Sequence, residues 1–125
     1  MALAAARQQH KDAVEVCQTR FSENASDAVA RAKCINAADE ILRPFDPYAD
    51  LYNLRNAKRN ELAERLAAGK ITRAQMVLEF TQLNSQIATE WQHRSNSDRS
   101  GAAQQQAATA ATIGAINATL PDHAR

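Results

Sequence analysis

Apolar residues recur at helical spacing along most of this 125-residue chain, and polar runs break the pattern into four stretches. In the first, Leu3, Ala6, His10, Ala13, Val14, Cys17 and Phe21 fall on one face at 100° per residue, which predicts a helix from about Leu3 to Phe21 with Cys17 pointing into the core. The run Ser22, Glu23, Asn24, Ala25, Ser26 breaks it. A second helical pattern follows from Ala28 to Arg43, where Pro44 ends it. This stretch is apolar around more than half its circumference, with Ala28, Ala32, Ile35 and Leu42 on one flank and Ala30, Cys34, Ala38 and Ile41 on the other. It is expected to sit between neighbours.

The connection Arg43-Pro44-Phe45-Asp46-Pro47-Tyr48 places Asp46 to cap a third helix and Pro47 to occupy its first turn. That helix runs to Ala68 and is closed by Gly69. Its apolar positions are Tyr48, Leu51, Leu54, Leu62 and Leu66, with Asn53, Asn56, Asn60 and Glu64 on the opposite face. The sharpest local signal comes next. Thr72 and Gln75 form a capping box, with Ile71 and Met76 as its hydrophobic staple, and the fourth helix starts there. Met76, Phe80, Leu83, Ile87 and Trp91 make its apolar stripe, and Ser95, Asn96, Ser97, Ser100 and Gly101 are expected to end or fray it.

From Gly101 the composition collapses to Ala, Gln, Thr and a few aliphatics. The pattern therefore predicts a helical bundle domain over 1–100 and a tail over 101–125, disordered or loosely docked, in which Ile113, Ile116 and Leu120 mark a weak amphipathic stretch interrupted by Gly114 and stopped by Pro121. The fold class is all-α: an antiparallel bundle of four helices with a low-complexity C-terminal tail.

Two cysteines change this picture. Cys17 and Cys34 lie symmetrically about Ala25, so antiparallel helices leaving that turn bring the sulfurs level, as a disulfide across a helical hairpin requires. Leu, Ile, Val and Phe together number 22 of 125 residues, so the core is thin and a covalent staple is valuable. A disulfide implies an oxidising compartment. The alternative is two free buried thiols in a cytosolic bundle.

A net charge of +1 implies no global pull toward nucleic acid or anionic membrane. No apolar run reaches the roughly 18 residues of a membrane span. Met1 to Ala6 does not read as a signal peptide, while Leu3-Ala4-Ala5-Ala6 is the small-residue start expected of a mature exported chain behind an added methionine.

The chemical inventory is short. His10, His93 and His123 do not converge at metal-ligand spacing, the cysteines form no zinc pattern, and no glycine-rich phosphate loop is present, so no cofactor or metal is expected. His10 reads as a histidine at the edge of the core. One constellation breaks the local rules. Arg55, Lys58 and Arg59 interrupt the apolar stripe of the third helix, and Asp39 interrupts a flank of the second. A hairpin about residues 44–47 brings Asp39 level with Tyr52 and within reach of Arg55. These residues predict either an internal ion pair, with the basic stems covering apolar surface, or an anion site built from Arg55, Lys58 and Arg59. The wider basic bias through Arg65, Lys70 and Arg73 is offset by Glu61 and Glu64, so nucleic-acid binding is not expected.

Over residues 17–94 the cysteine pair, Cys34-Ile35-Asn36, Arg43-Pro44-Phe45, Pro47-Tyr48, Asp50-Leu51, Gly69-Lys70-Ile71-Thr72 and the stretch ending at Arg94 resemble a loosely defined group of small exported helical proteins of alphaproteobacteria. The resemblance implies an envelope location and carries no enzyme activity to any residue. The expected function is a non-enzymatic periplasmic or cell-envelope binding or interaction module, an accessory subunit recognising a protein partner. The alternative is a cytosolic adaptor or regulator with weak nucleic-acid contact through the basic half of the third helix. Dimerisation through exposed helix faces is left open.

Overall fold

The computed structural model describes residues 2–112. Among these residues the chain is all-α, with helices α1 (Ala2–Arg20), α2 (Ala28–Asp39), α3 (Ala49–Ala67) and α4 (Arg73–Thr112) and short 3₁₀ turns at Ala25–Asp27 and Arg43–Phe45. The order is that of an antiparallel four-helix bundle, with α2 packed against both α1 and α3. By packing, the chain divides into two units, Met1–Ile87 and Ala88–Arg125.

Cys17 and Cys34 are joined as a disulfide, with their Cα atoms 5.7 Å apart, so α1 and α2 are stapled level. The turn between these helices is built by side chains. Asp27 accepts a 2.7 Å hydrogen bond from the Ser22 backbone N–H, and this bond holds its carboxyl below the usual carboxylate range. The core of the first unit is thin and rich in alanine. Ala28 and Ala32 of α2 meet Ala63 and Leu66 of α3, with Val29, Ile71 and Met76 packed against them. Small side chains let the helices approach closely, and they leave little apolar area to hold the fold.

Local signals account for the ends of α3 and the start of α4. Gly69 takes a left-handed φ of +74°, which a side chain would oppose. The N–H of Gly69 bonds to the Leu66 carbonyl and that of Lys70 to the Arg65 carbonyl, the paired bonds of a Schellman closure. Three residues later Thr72 N–H donates to Gln75 Oε1 at 2.7 Å while Gln75 N–H donates to Thr72 Oγ1 at 3.1 Å, a reciprocal capping box.

Other boundaries differ from expectation. Helix α2 ends at Asp39 instead of Arg43, because the N–H groups of Ile41 and Leu42 bond three residues back, to Ala38 and Asp39, and the chain tightens toward Pro44. Helix α3 starts at Ala49. Asp46 accepts from the N–H of Tyr48 two residues on, so it makes a local turn ahead of the helix and Pro47 stays outside the first turn. Leu54, assigned to the apolar stripe, is half exposed, whereas Tyr52 and Asn56 are buried. The inward face of α3 is thus rotated toward its polar residues.

Helix α4 continues through the polar run 95–101, where an end was expected. Hydrogen bonds at helical spacing, from Arg94 to Glu90 and from Gln92 to Asn96, support this stretch, and the alanines beyond Gly101 are the best helix formers. The tail expected over 101–125 therefore begins inside α4. The expectations placed on Ile113, Gly114, Ile116, Leu120, Pro121 and His123 lie outside the described residues.

Candidate functional site

Two features of the first unit gather chemistry, and Arg59 belongs to both. The first is a polar centre around Asp39, at the end of α2, which is 4% exposed. Its Oδ1 accepts a 2.8 Å hydrogen bond from Nε2 of His10 on α1, and its Oδ2 a 2.9 Å bond from the Arg59 guanidinium on α3. Arg55 stands one helical turn before Arg59, with a terminal nitrogen 3.6 Å from the same oxygen. The Tyr52 hydroxyl donates to the backbone carbonyl of Asp39 at 2.7 Å. Three helices thus converge on one buried carboxylate, and the cost of burying its charge is met by paired donors.

Neighbouring amides complete the centre. Arg59 also donates to Oδ1 of Asn36 at 2.5 Å and to Oδ1 of Asn56 at 3.1 Å. Asn36 donates in turn to the Asn56 carbonyl at 3.1 Å and to Asn60 Oδ1 at 3.0 Å. The Arg55 guanidinium lies 4.6 Å from the centroid of the Tyr52 ring, and Arg43 lies 5.6 Å from it. Burial raises the Tyr52 phenol above its ordinary value, the Asp39 charge adds to this, and Arg55 opposes it. The Nε of Arg55 is buried with no hydrogen-bond partner among the described residues.

Asp39, Arg55 and Arg59 are therefore brought together, and Lys58 is not. Lys58 points to a separate acidic pair, 3.1 Å from Glu61 and 3.5 Å from Glu79, and Glu79 also takes a 3.2 Å contact from Arg65. On a helix, residues 55 and 59 share a face while 58 is turned away from it. The hydrogen bond to Glu61 raises the Lys58 ammonium, with burial opposing and Glu79 adding. Burial acts to raise the Glu79 carboxyl, but the bonds and charges of Arg65 and Lys58 outweigh it and hold that carboxyl low.

Sequence reasoning missed His10, Asn36 and Asn56 as members of the centre. A signal for His10 was present. The symmetry that sets Cys17 level with Cys34 sets His10 level with Ile41, close to Asp39 in the chain.

The second feature is a groove of about 280 Å³ on the other side of Arg59. Ala28, Ala32 and Ile35 of α2 and Leu62, Ala63 and Leu66 of α3 form its floor, and Met76, Val77 and Phe80 of α4 form a wall. Its polar lining consists of Glu23, Arg31, Arg59, Arg73 and Thr81. Arg59 lies 5.0 Å from the centroid of the Phe80 ring. Arg31 is tied to the Phe21 carbonyl by a 2.8 Å hydrogen bond and stands 3.6 Å from Glu23, and Arg73 reaches the same Glu23 carboxylate. An apolar floor with a few charged groups at the edge is the composition of a binding site.

Among the described residues no group of three or more His, Cys, Asp or Glu side chains is placed to hold a metal ion, and no helix is long and apolar enough to cross a membrane. No protein-family model, no curated protein and no solved structure matches this chain.

Proposed function

We propose that this chain is a non-enzymatic binding and interaction module of the periplasm or cell envelope, working as an accessory subunit beside a protein partner. The observation that carries the reading is the groove between α2, α3 and α4, apolar along its floor and charged at its edge. Its polar lining holds three arginines, one glutamate and one threonine, a set that recognises a ligand more readily than it breaks a bond. The polar centre behind it engages its groups with one another, which fixes Arg59 at the edge of the groove.

The location rests on the Cys17–Cys34 bond, since structural disulfides persist in oxidising compartments, and on the resemblance to exported helical proteins. A cytosolic adaptor touching nucleic acid through Arg55, Lys58 and Arg59 draws less support. Arg55 and Arg59 face Asp39, and Lys58 faces Glu61 and Glu79, so the basic half of α3 is largely neutralised where phosphate contact would need free charge.

The test is fractionation of the source cells with thiols trapped at lysis, followed by intact mass of the native protein. Linked cysteines in an envelope fraction are expected. Free thiols in a cytosolic fraction would overturn the compartment and make the adaptor the better reading.

A further inference from the structure

We propose that the groove binds a medium-chain carboxylate, with its alkyl body on the alanine floor and its head group between Arg31 and Arg73. The inference rests on the reading of the chain as a binding module and names the ligand class of that site.

Size is the first argument. The groove measures about 280 Å³, close to the lower end of the roughly 300–1,000 Å³ typical of small-molecule sites. It is nearly twice the roughly 150 Å³ apolar cavity that accepts a benzene molecule. The space exists because Ala28, Ala32 and Ala63 cannot fill the gap between the larger side chains of α3 and α4. An apolar body seated there covers half-exposed Val77 and the partly buried Ile35, Met76 and Phe80 beside the already buried floor, and removes their apolar surface from water at no cost in unmet hydrogen bonds.

Charge is the second. At the mouth two guanidiniums, Arg31 and Arg73, share a single carboxylate, Glu23. The third arginine of the lining, Arg59, is already paired with Asp39. The edge therefore carries one positive charge in excess, which matches a monoanion and disfavours a cation. The two arginines differ in freedom. Arg31 is mostly buried and tied to the Phe21 carbonyl, while Arg73 is more than half exposed, so one is a fixed donor and the other swings to meet the head group. A carboxylate suits the planar, forked donors of a guanidinium.

The test uses the full, oxidised chain and titration calorimetry with decanoate, decanol, decyltrimethylammonium and acetate. Decanoate is expected to bind one to one. Decanol and acetate, each lacking half of the ligand, should bind at least about tenfold more weakly, the scale of one lost charge-assisted hydrogen bond, and the cation should not bind. High salt should weaken decanoate and leave decanol unchanged. Arg31→Gln with Arg73→Gln should weaken decanoate by about tenfold or more, and Val77→Asp, at a half-exposed position on the groove wall, should abolish binding without unfolding the chain. Leu54→Asp, outside the groove lining, should bind as the parent does.

Equal affinity for decanol and decanoate, unchanged binding by Val77→Asp, or no binding at all would each overturn the proposal. A photoreactive residue placed at Val77 in the source cells separates that failure from failure of the wider reading. Capture of one protein partner with no decanoate binding would replace the carboxylate and keep the binding module. Neither partner nor ligand would sink both.

Discussion

The Arg59 guanidinium donates a 2.9 Å hydrogen bond to Oδ2 of Asp39, and the two residues come from different helices, so this contact ties α3 to the end of α2 beside those of Tyr52 and Arg55. Removing only the acid would leave Arg59 and Arg55 facing a buried site with no counter-charge. Asp39→Ala is therefore expected to lower the unfolding free energy by about 3–5 kcal/mol, read by urea titration with the disulfide intact. Double replacement of Asp39 and Arg59 by leucine should recover part of that loss, because paired removal leaves less uncompensated charge. Equal stability of Asp39→Ala and the parent would show that the contact contributes nothing.

How much of this centre was legible depended on whether a local rule or a tertiary register decided the residue. Thr72 with Gln75, and Gly69 with its left-handed backbone, are read from neighbours in the chain, and the structure places both as the local pattern implies. Leu54 and Asn56 defied the pattern because a hydrophobic stripe marks the inward face only where the facing helix is apolar. Here it presents Asn36 and Asp39, so α3 turns Asn56 and Arg59 inward and leaves Leu54 half exposed. Helix propensity carried α4 past its polar run, which reads as a break only if serine and asparagine are assumed to face no helical partner.

Tyr52 makes the alkaline limb of stability predictable. Burial, with the Asp39 charge, lifts its phenol above the ordinary value near 10. A raised folded-state value means the folded chain holds the proton more tightly than the unfolded chain. The contribution is complete below about pH 10 and is lost as pH rises from there through the folded value. Tyr52→Phe removes the 2.7 Å bond to the Asp39 carbonyl and should cost about 1 kcal/mol at neutral pH. The variant should also show a shallower loss of stability above pH 10 than the parent. Spectrophotometric titration of the phenols, in which Tyr48 is the only other tyrosine, gives the direct check.

Glu79 governs a limb at the acid end. Burial acts to raise its carboxyl, but Arg65 and Lys58 prevail and hold it below the usual value, so the folded chain releases this proton more readily than the unfolded one. Its contribution is present above the ordinary glutamate value of about 4.3 and disappears as pH falls through the lower folded value. Glu79→Gln is expected to flatten the stability profile in that window and leave the alkaline limb unchanged. Carbon-detected titration of the glutamate carboxyls should find Glu79 below the ordinary glutamate value.

The Cys17–Cys34 bond closes a loop over a sequence separation of 17, for which chain entropy alone gives about 3 kcal/mol of stabilisation. With so thin a core, that is a large share of the 5–15 kcal/mol usual for a folded domain. Replacing both cysteines by alanine should therefore lower the denaturant midpoint sharply, and reductant should do the same to the parent. The bond also aligns α1 with α2, and that alignment brings His10 to Asp39. If the staple acts only through the unfolded chain, the nitrogen shifts of His10 will be the same in the alanine variant at low denaturant as in the oxidised parent. If it also sets the register of the hairpin, the His10 signal will lose the signature of its bond to Asp39 before the helices melt, and that is the expected result.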